Sequence, residues 1–124
     1  MFLYINGNSS PFYPNEFYLD LPTNLAGEIG LSEINFEFNQ DPTSFDVCCD
    51  ICEKSLTQED QRPILRRIYT SKKQQIITFE PIHYVRITEP RAPYLKVYLR
   101  PLSNASSPVK FKTLQCTLHV RQYF

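Results

Sequence analysis

With 124 residues, 42% hydrophobic and 14% aromatic, the chain fits one domain that buries its apolar side chains without needing a metal or a disulfide, and its composition excludes disorder. Ten prolines against three glycines set most turns through a fixed φ and leave few places for a glycine-rich phosphate loop. Net charge is zero, yet residues 1–60 hold eleven acids against one base (Lys54) and residues 61–124 hold two acids (Glu80, Glu89) against twelve bases, about −10 and +10 for the two halves.

The opening MFLYINGNSSPFYP lacks both a basic start and a sustained apolar run, so no signal peptide is expected. No stretch approaches the roughly 18 apolar residues of a membrane-spanning helix. Four cysteines without a signal then point to free thiols in a reducing compartment. On the same ground the glycosylation matches at Asn8 and Asn104 read as chance.

Strand-like runs follow at 2–5, 16–21, 28–38, 45–53, 64–69, 76–79, 84–88, 94–100 and 111–122, separated by Pro, Asn, Ser or Asp. No helical pattern of useful length interrupts them, which predicts one all-β domain over 1–124, its antiparallel sheets packed as a sandwich or closed as a barrel. In GEIGLSEINFEF the inward series Ile29, Leu31 jumps phase to Ile34, Phe36, Phe38, which places a β-bulge near Ser32 and Glu33. The polar stretch 55–61, SLTQEDQ, reads as a loop or one helical turn. In YLKVYLRPL the inward residues are Leu95, Val97 and Leu99; in TLQCTLHVRQ they are Leu114, Cys116, Leu118 and Val120.

SFDVCCDICEKS places three cysteines within five positions. Cys49 and Cys52 with Cys116 and His119 have the ligand types of a CCCH zinc site, with His83 as a substitute. In strands, however, positions i and i+3 face opposite sides of the sheet, which disfavours convergence on one ion. A thioredoxin-like role for Cys49 and Cys52 needs a helix start within a βαβ unit, and none is visible. The simpler reading is a strand with Val47, Cys49 and Ile51 buried and Cys48, Asp50 and Cys52 on the other face, the thiols packing as small hydrophobes. No metal ligand, cofactor site or catalytic residue is therefore assigned. The chain has no Gly-x-Ser-x-Gly elbow, and the Glu59–Asp60 pair lies in a polar loop without an apolar pocket to raise a carboxyl pKa.

The charge asymmetry has two readings. Strands of the two halves can interleave so that opposite charges meet across neighbours, or an acidic patch can dock on the basic patch of another copy. Arg62, Arg66, Arg67, Lys72 and Lys73 form the densest basic stretch, either as solvated charge or as a docking patch for an acidic partner surface. The dense Arg/Lys clusters and high pI of a nucleic-acid binder are missing, so that partner is not expected.

YINGNSSPFYP, NEFYLDLPTNL, GEIGLSEINFEF, VCCDICEKSL with RPILRRIY, and TLHVRQYF follow one another in an order that resembles that of structural proteins encoded by Polinton or Maverick elements and by related adintovirus-like double-stranded DNA viruses. YINGNSSPFYP matches an opening strand with an Asn-Ser-Ser tract, and NEFYLDLPTNL a strand ending in Leu-Pro. GEIGLSEINFEF matches a Gly-led strand of the type E-V-x-L-x-E-I. VCCDICEKSL followed by RPILRRIY matches a strand with a central Asp and then P-L-L-R, and TLHVRQYF matches a closing Leu-His-x-Arg strand. The resemblance covers essentially the whole chain. It implies a jelly-roll-like sandwich of about eight strands in a non-enzymatic virion component, made inside the host cell, that self-associates or docks on a larger capsid protein, without a small-molecule substrate or a membrane span. The rival expectation is a soluble β-sandwich module that recognises a cellular or glycan ligand.

Overall fold

The computed structural model describes residues 1–6, 16–21, 24–57, 61–102 and 110–122. The sequons at Asn8 and Asn104 and the Glu59–Asp60 pair lie outside the described residues. Among those residues the fold is all-β, with eleven strands: β1 (Phe2–Asn6), β2 (Glu16–Asp20), β3 (Gly27–Phe38), β4 (Phe45–Cys49), β5 (Ser55–Leu56), β6 (Gln61–Arg62), β7 (Ile64–Ile68), β8 (Gln74–Thr78), β9 (Tyr84–Arg86), β10 (Tyr94–Pro101) and β11 (Phe111–Gln122).

Two antiparallel sheets face each other. One runs β1-β11-β3-β8, with β9 further along the β8 side of β3; the other runs β2-β10-β4-β7; β5 and β6 form a short hairpin. Every pairing joins a strand from residues 1–60 to one from residues 61–122. The chain is thus one long antiparallel hairpin, doubled back between β5 and β6 and rolled so that each arm passes back and forth between the two sheets. That is the double-sheet jelly-roll wiring, and nine of the eleven strands build its two main sheets, five in one and four in the other, against the eight or so expected.

Interleaving explains the charge asymmetry directly. Each strand of the acidic half neighbours strands of the basic half, so Glu28 meets Arg121, Glu37 meets Lys112, Glu16 meets Lys96, and Asp46 meets Arg62 and Arg67. All five pairs join an acid of the first half to a base of the second. Most are exposed and contribute little to stability individually, but like charges on neighbouring strands would oppose any shifted pairing.

The expected bulge is present. Glu33 pairs with Thr117 and Leu31 with Leu118, leaving Ser32 without a partner in β11, so Ile29, Leu31, Ile34, Phe36 and Phe38 all reach the buried face. On the other side of β3, the segment between β8 and β9 passes so close that a Cβ on Gly30 would lie 2.6 Å from the His83 carbonyl oxygen. Gly27 opens β3 at φ +125°, with the Arg121 carbonyl where a side chain would stand. The core between the sheets draws Ile29, Ile34, Phe36 and Leu118 from one layer and Phe45, Val47, Leu65, Leu95 and Val97 from the other.

Two expectations need correction. The run at 45–53 is not one strand: β4 ends at Cys49, where the Asp50 carboxylate accepts the Lys96 backbone N–H at 2.8 Å and the Cys52 N–H reaches back to the Cys49 carbonyl at 3.2 Å. A short acidic side chain has captured a ladder donor and turned the chain. The polar stretch at 55–61, expected as a loop or one helical turn, begins and ends in a two-strand hairpin, with Ser55 opposite Arg62 and Leu56 opposite Gln61; residues 58–60 lie outside the described residues.

Candidate interaction surface

The outer face of the β2-β10-β4-β7 sheet is closed at its centre. Asp46, which alternation places on that face, is fully buried. Both its oxygens are engaged by Arg67, whose Nε donates at 2.7 Å and Nη2 at 3.0 Å, and Arg62 on β6 stands 3.6 Å away. The bidentate geometry is the strong form of a charge-assisted pair, and it holds the Arg67 guanidinium firmly protonated. Two of the five expected docking residues, Arg62 and Arg67, are thus committed to an internal ion cluster. Arg66 lies over the Phe79 ring, its Cζ 4.4 Å from the centroid. Lys72 and Lys73 are exposed in the turn from β7 to β8, where the Lys73 carbonyl accepts the Phe38 N–H at 2.8 Å. The patch therefore divides into a structural half and a solvent-facing half.

The cysteines are all reduced and buried. Cys49 faces the core as expected; Cys48 lies on the outer face, yet it is buried too. Its neighbours across the ladder are Tyr98 and Ile64, and Arg62 and Arg100 stand nearby. Burial first, and the Asp46 charge second, push its thiol up to about 12. Cys116 is pushed up to about 12 by burial alone. Contrary to the strand-based expectation, Cys49 and Cys52 do not point apart, because the turn at Asp50 brings their thiols into hydrogen-bond contact; that bond, followed by burial, raises the Cys52 pKa. Raised thiol pKa values describe packing residues, since the nucleophile and metal ligand is the thiolate. Cys116 points into the core from β11 while His119, three residues on, faces outward to Tyr84, so the four residues of the zinc reading do not share a side. Among the described residues, no cluster of three or more His, Cys, Asp or Glu is arranged to hold a metal.

The other sheet carries an aromatic outer cluster beside β1. The His119 ring lies 4.6 Å from Phe2, its Nδ1 is 2.7 Å from the Tyr84 hydroxyl, and the Arg121 guanidinium covers Tyr84 at 3.6 Å. Phe2 and Tyr4 remain largely exposed at the sheet edge. Burial, then the N-terminal ammonium, then Arg121 hold the His119 pKa below its ordinary 6.5, because each disfavours a second proton. In the window below 6.5 the unfolded chain therefore binds more protons than the folded one. The stability linked to neutral His119 is complete above that value and is lost as pH falls through the folded pKa. The thermal midpoint should drop more steeply between pH 7 and pH 5 in the wild type than in His119→Gln; equal slopes would show that the imidazole is not linked to folding.

A groove of about 400 Å³ runs beside β7, bordered by Leu56, Thr57, Arg66, Arg67 and His83. Among the described residues β7 is an edge strand, paired only with β4, and Leu56 is one of the most exposed apolar side chains. Alternation alone could not reveal this groove, since its far wall comes from the β5–β6 hairpin and from His83 of the opposite sheet. No helix among the described residues is long and apolar enough to cross a membrane. No protein-family model, no curated protein and no solved structure matches the chain.

Proposed function

We propose that this chain is a non-enzymatic structural component of a virion that acts through its surfaces, by self-association or by docking on a larger capsid protein. The observation that carries the reading is the double-sheet jelly-roll wiring with aromatic side chains left exposed on its flanks. Jelly rolls serve viral shells, lectins and cupins alike, so the wiring alone does not choose among them. The succession of segments resembling the Polinton and adintovirus structural proteins favours the first. Phe2 and Tyr4 on β1, and Tyr18 and Tyr94 on the other sheet, are exposed and of a type enriched at protein interfaces. A partner surface has uses for them that a folded monomer does not.

Light scattering behind size-exclusion chromatography, over a concentration series in low and high salt, should show association or, with the larger capsid protein of the same genome added, a stable complex. A protein that stays monomeric throughout and retains no capsid partner would refute the reading.

The second reading is a glycan-binding module, and it rests on the exposed Tyr18–Tyr94 pair, with ring centroids 5.7 Å apart. Saturable oligosaccharide binding lost in Tyr94→Ala would favour it over the first.

A further inference from the structure

The interleaved wiring has a consequence at the borders of the β2-β10-β4-β7 sheet. Because strands of the two halves alternate and number four, one edge must come from the acidic half and the other from the basic half. The acidic edge is β2, EFYLD; the basic edge is β7, ILRRI. On the outer face the charges run in rows. Glu16 and Asp20 lie on β2, Lys96 and Arg100 on β10, Asp46 on β4 and Arg67 on β7, a sequence fixed by the ladder registers. The order negative, positive, negative, positive stops at β7 only because the sheet does.

We propose that the sheet continues into a second copy of this chain, the β2 edge of one molecule adding to the β7 edge of the next. The proposal rests on the self-association arm of the functional reading and names the surface that performs it.

Direction, charge and space agree with this contact. All three ladders are antiparallel, so in a four-stranded sheet the two edges run oppositely. A copy related by rotation about an axis along the strands therefore presents β2 antiparallel to β7, and such a head-to-tail contact closes into a ring. Arg67 on β7 stays partly exposed beside its Asp46 partner, and among the described residues Arg66 has a ring but no carboxylate. Glu16 has the Lys96 ammonium at 3.8 Å and accepts the Tyr18 hydroxyl at 3.3 Å, and Asp20 has no cation among the described residues. The groove separates β7 from Leu56 and Thr57 by a space of about 400 Å³, with Leu56 exposed along it. Charged side chains on an edge strand repel neutral and basic strands, while an acidic strand is the one they admit.

Sedimentation velocity over a concentration series, combined with hydrogen exchange at its two ends, tests the contact. Association should weaken with salt, and added protection should fall on β2 and β7. Glu16→Lys/Asp20→Lys should weaken association about tenfold or more. Asp20→Lys alone, which spares the Glu16–Lys96 pair, should weaken it severalfold, while Ile76→Lys on the exposed β8 edge should leave it unchanged. Added protection confined to β1 and β8, or Asp20→Lys associating like the wild type, would overturn this contact and leave self-association by another surface standing. A monomer at every concentration would overturn it as well, with capsid docking then decided by the complex formation described above.

Discussion

Phe36→Ala should lower the unfolding free energy by about 3–5 kcal/mol, the range for removing a large buried aromatic ring. Phe36 is fully buried on β3 and forms edge contacts with Phe38 at 5.3 Å, Phe45 at 5.4 Å and Phe111 at 6.4 Å. Phe45 belongs to the opposite sheet, so the ring joins both layers, and truncation removes contacts that neither backbone can move to replace. Small domains have only about 5–15 kcal/mol in total, so a large part of the stability is at stake. Urea unfolding followed by circular dichroism should show a lower midpoint with an unchanged slope, and Phe36→Leu should retain most of the loss. A Phe36→Ala variant within about 1 kcal/mol of the wild type would mean that the four-ring cluster collapses to fill the space.

Arg67→Ala should cost about 2–3 kcal/mol. The carboxylate it abandons, Asp46, has no solvent access and keeps only Arg62 at 3.6 Å. Breaking a buried pair from one side is severe because the remaining charge is left poorly compensated; Arg62 and the partial exposure of Arg67 bring the figure toward the lower end of that class. Replacing both partners, Asp46→Val with Arg67→Val, should recover much of the loss, since an apolar pair on adjacent strands leaves no buried carboxylate. A double-mutant cycle in urea measures the coupling. If Arg67→Ala changes stability no more than an ordinary surface substitution, about 0.5 kcal/mol, the cluster contributes nothing beyond its geometry.

The two experiments examine different levels of the same fold. Phe36 reports on packing that period-two alternation already announced, whereas the Asp46–Arg67 pair had no counterpart in that pattern. Alternation tells which of two faces a side chain takes, because the pleat is a local property of the backbone. It does not tell whether that face will be covered. Asp46 and Cys48 sit on the face opposite the core residues Val47 and Cys49, and both are buried nonetheless, with Arg62 of β6 and side chains of β7 and β10 around them. Likewise Cys49 and Cys52 meet because Asp50 exchanges a place in the ladder for a hydrogen bond to Lys96, a partner 46 residues away.

Most strand positions, though not the break at Asp50 or the β5–β6 hairpin, the bulge at Ser32 and the inward faces of β10 and β11 were determined by the sequence alone, through pleat period and the phase jump between Leu31 and Ile34. The division of charge between the halves was equally visible, but its meaning was not. Only the rolled hairpin decided that strands of the acidic half pair with strands of the basic half, that Arg62 and Arg67 serve a buried carboxylate, and that one sheet ends in an acidic edge and a basic one. Pairing partners lie up to 117 residues apart, as Phe2 and His119 do, and contacts at that separation follow from topology, which no local pattern in the chain encodes.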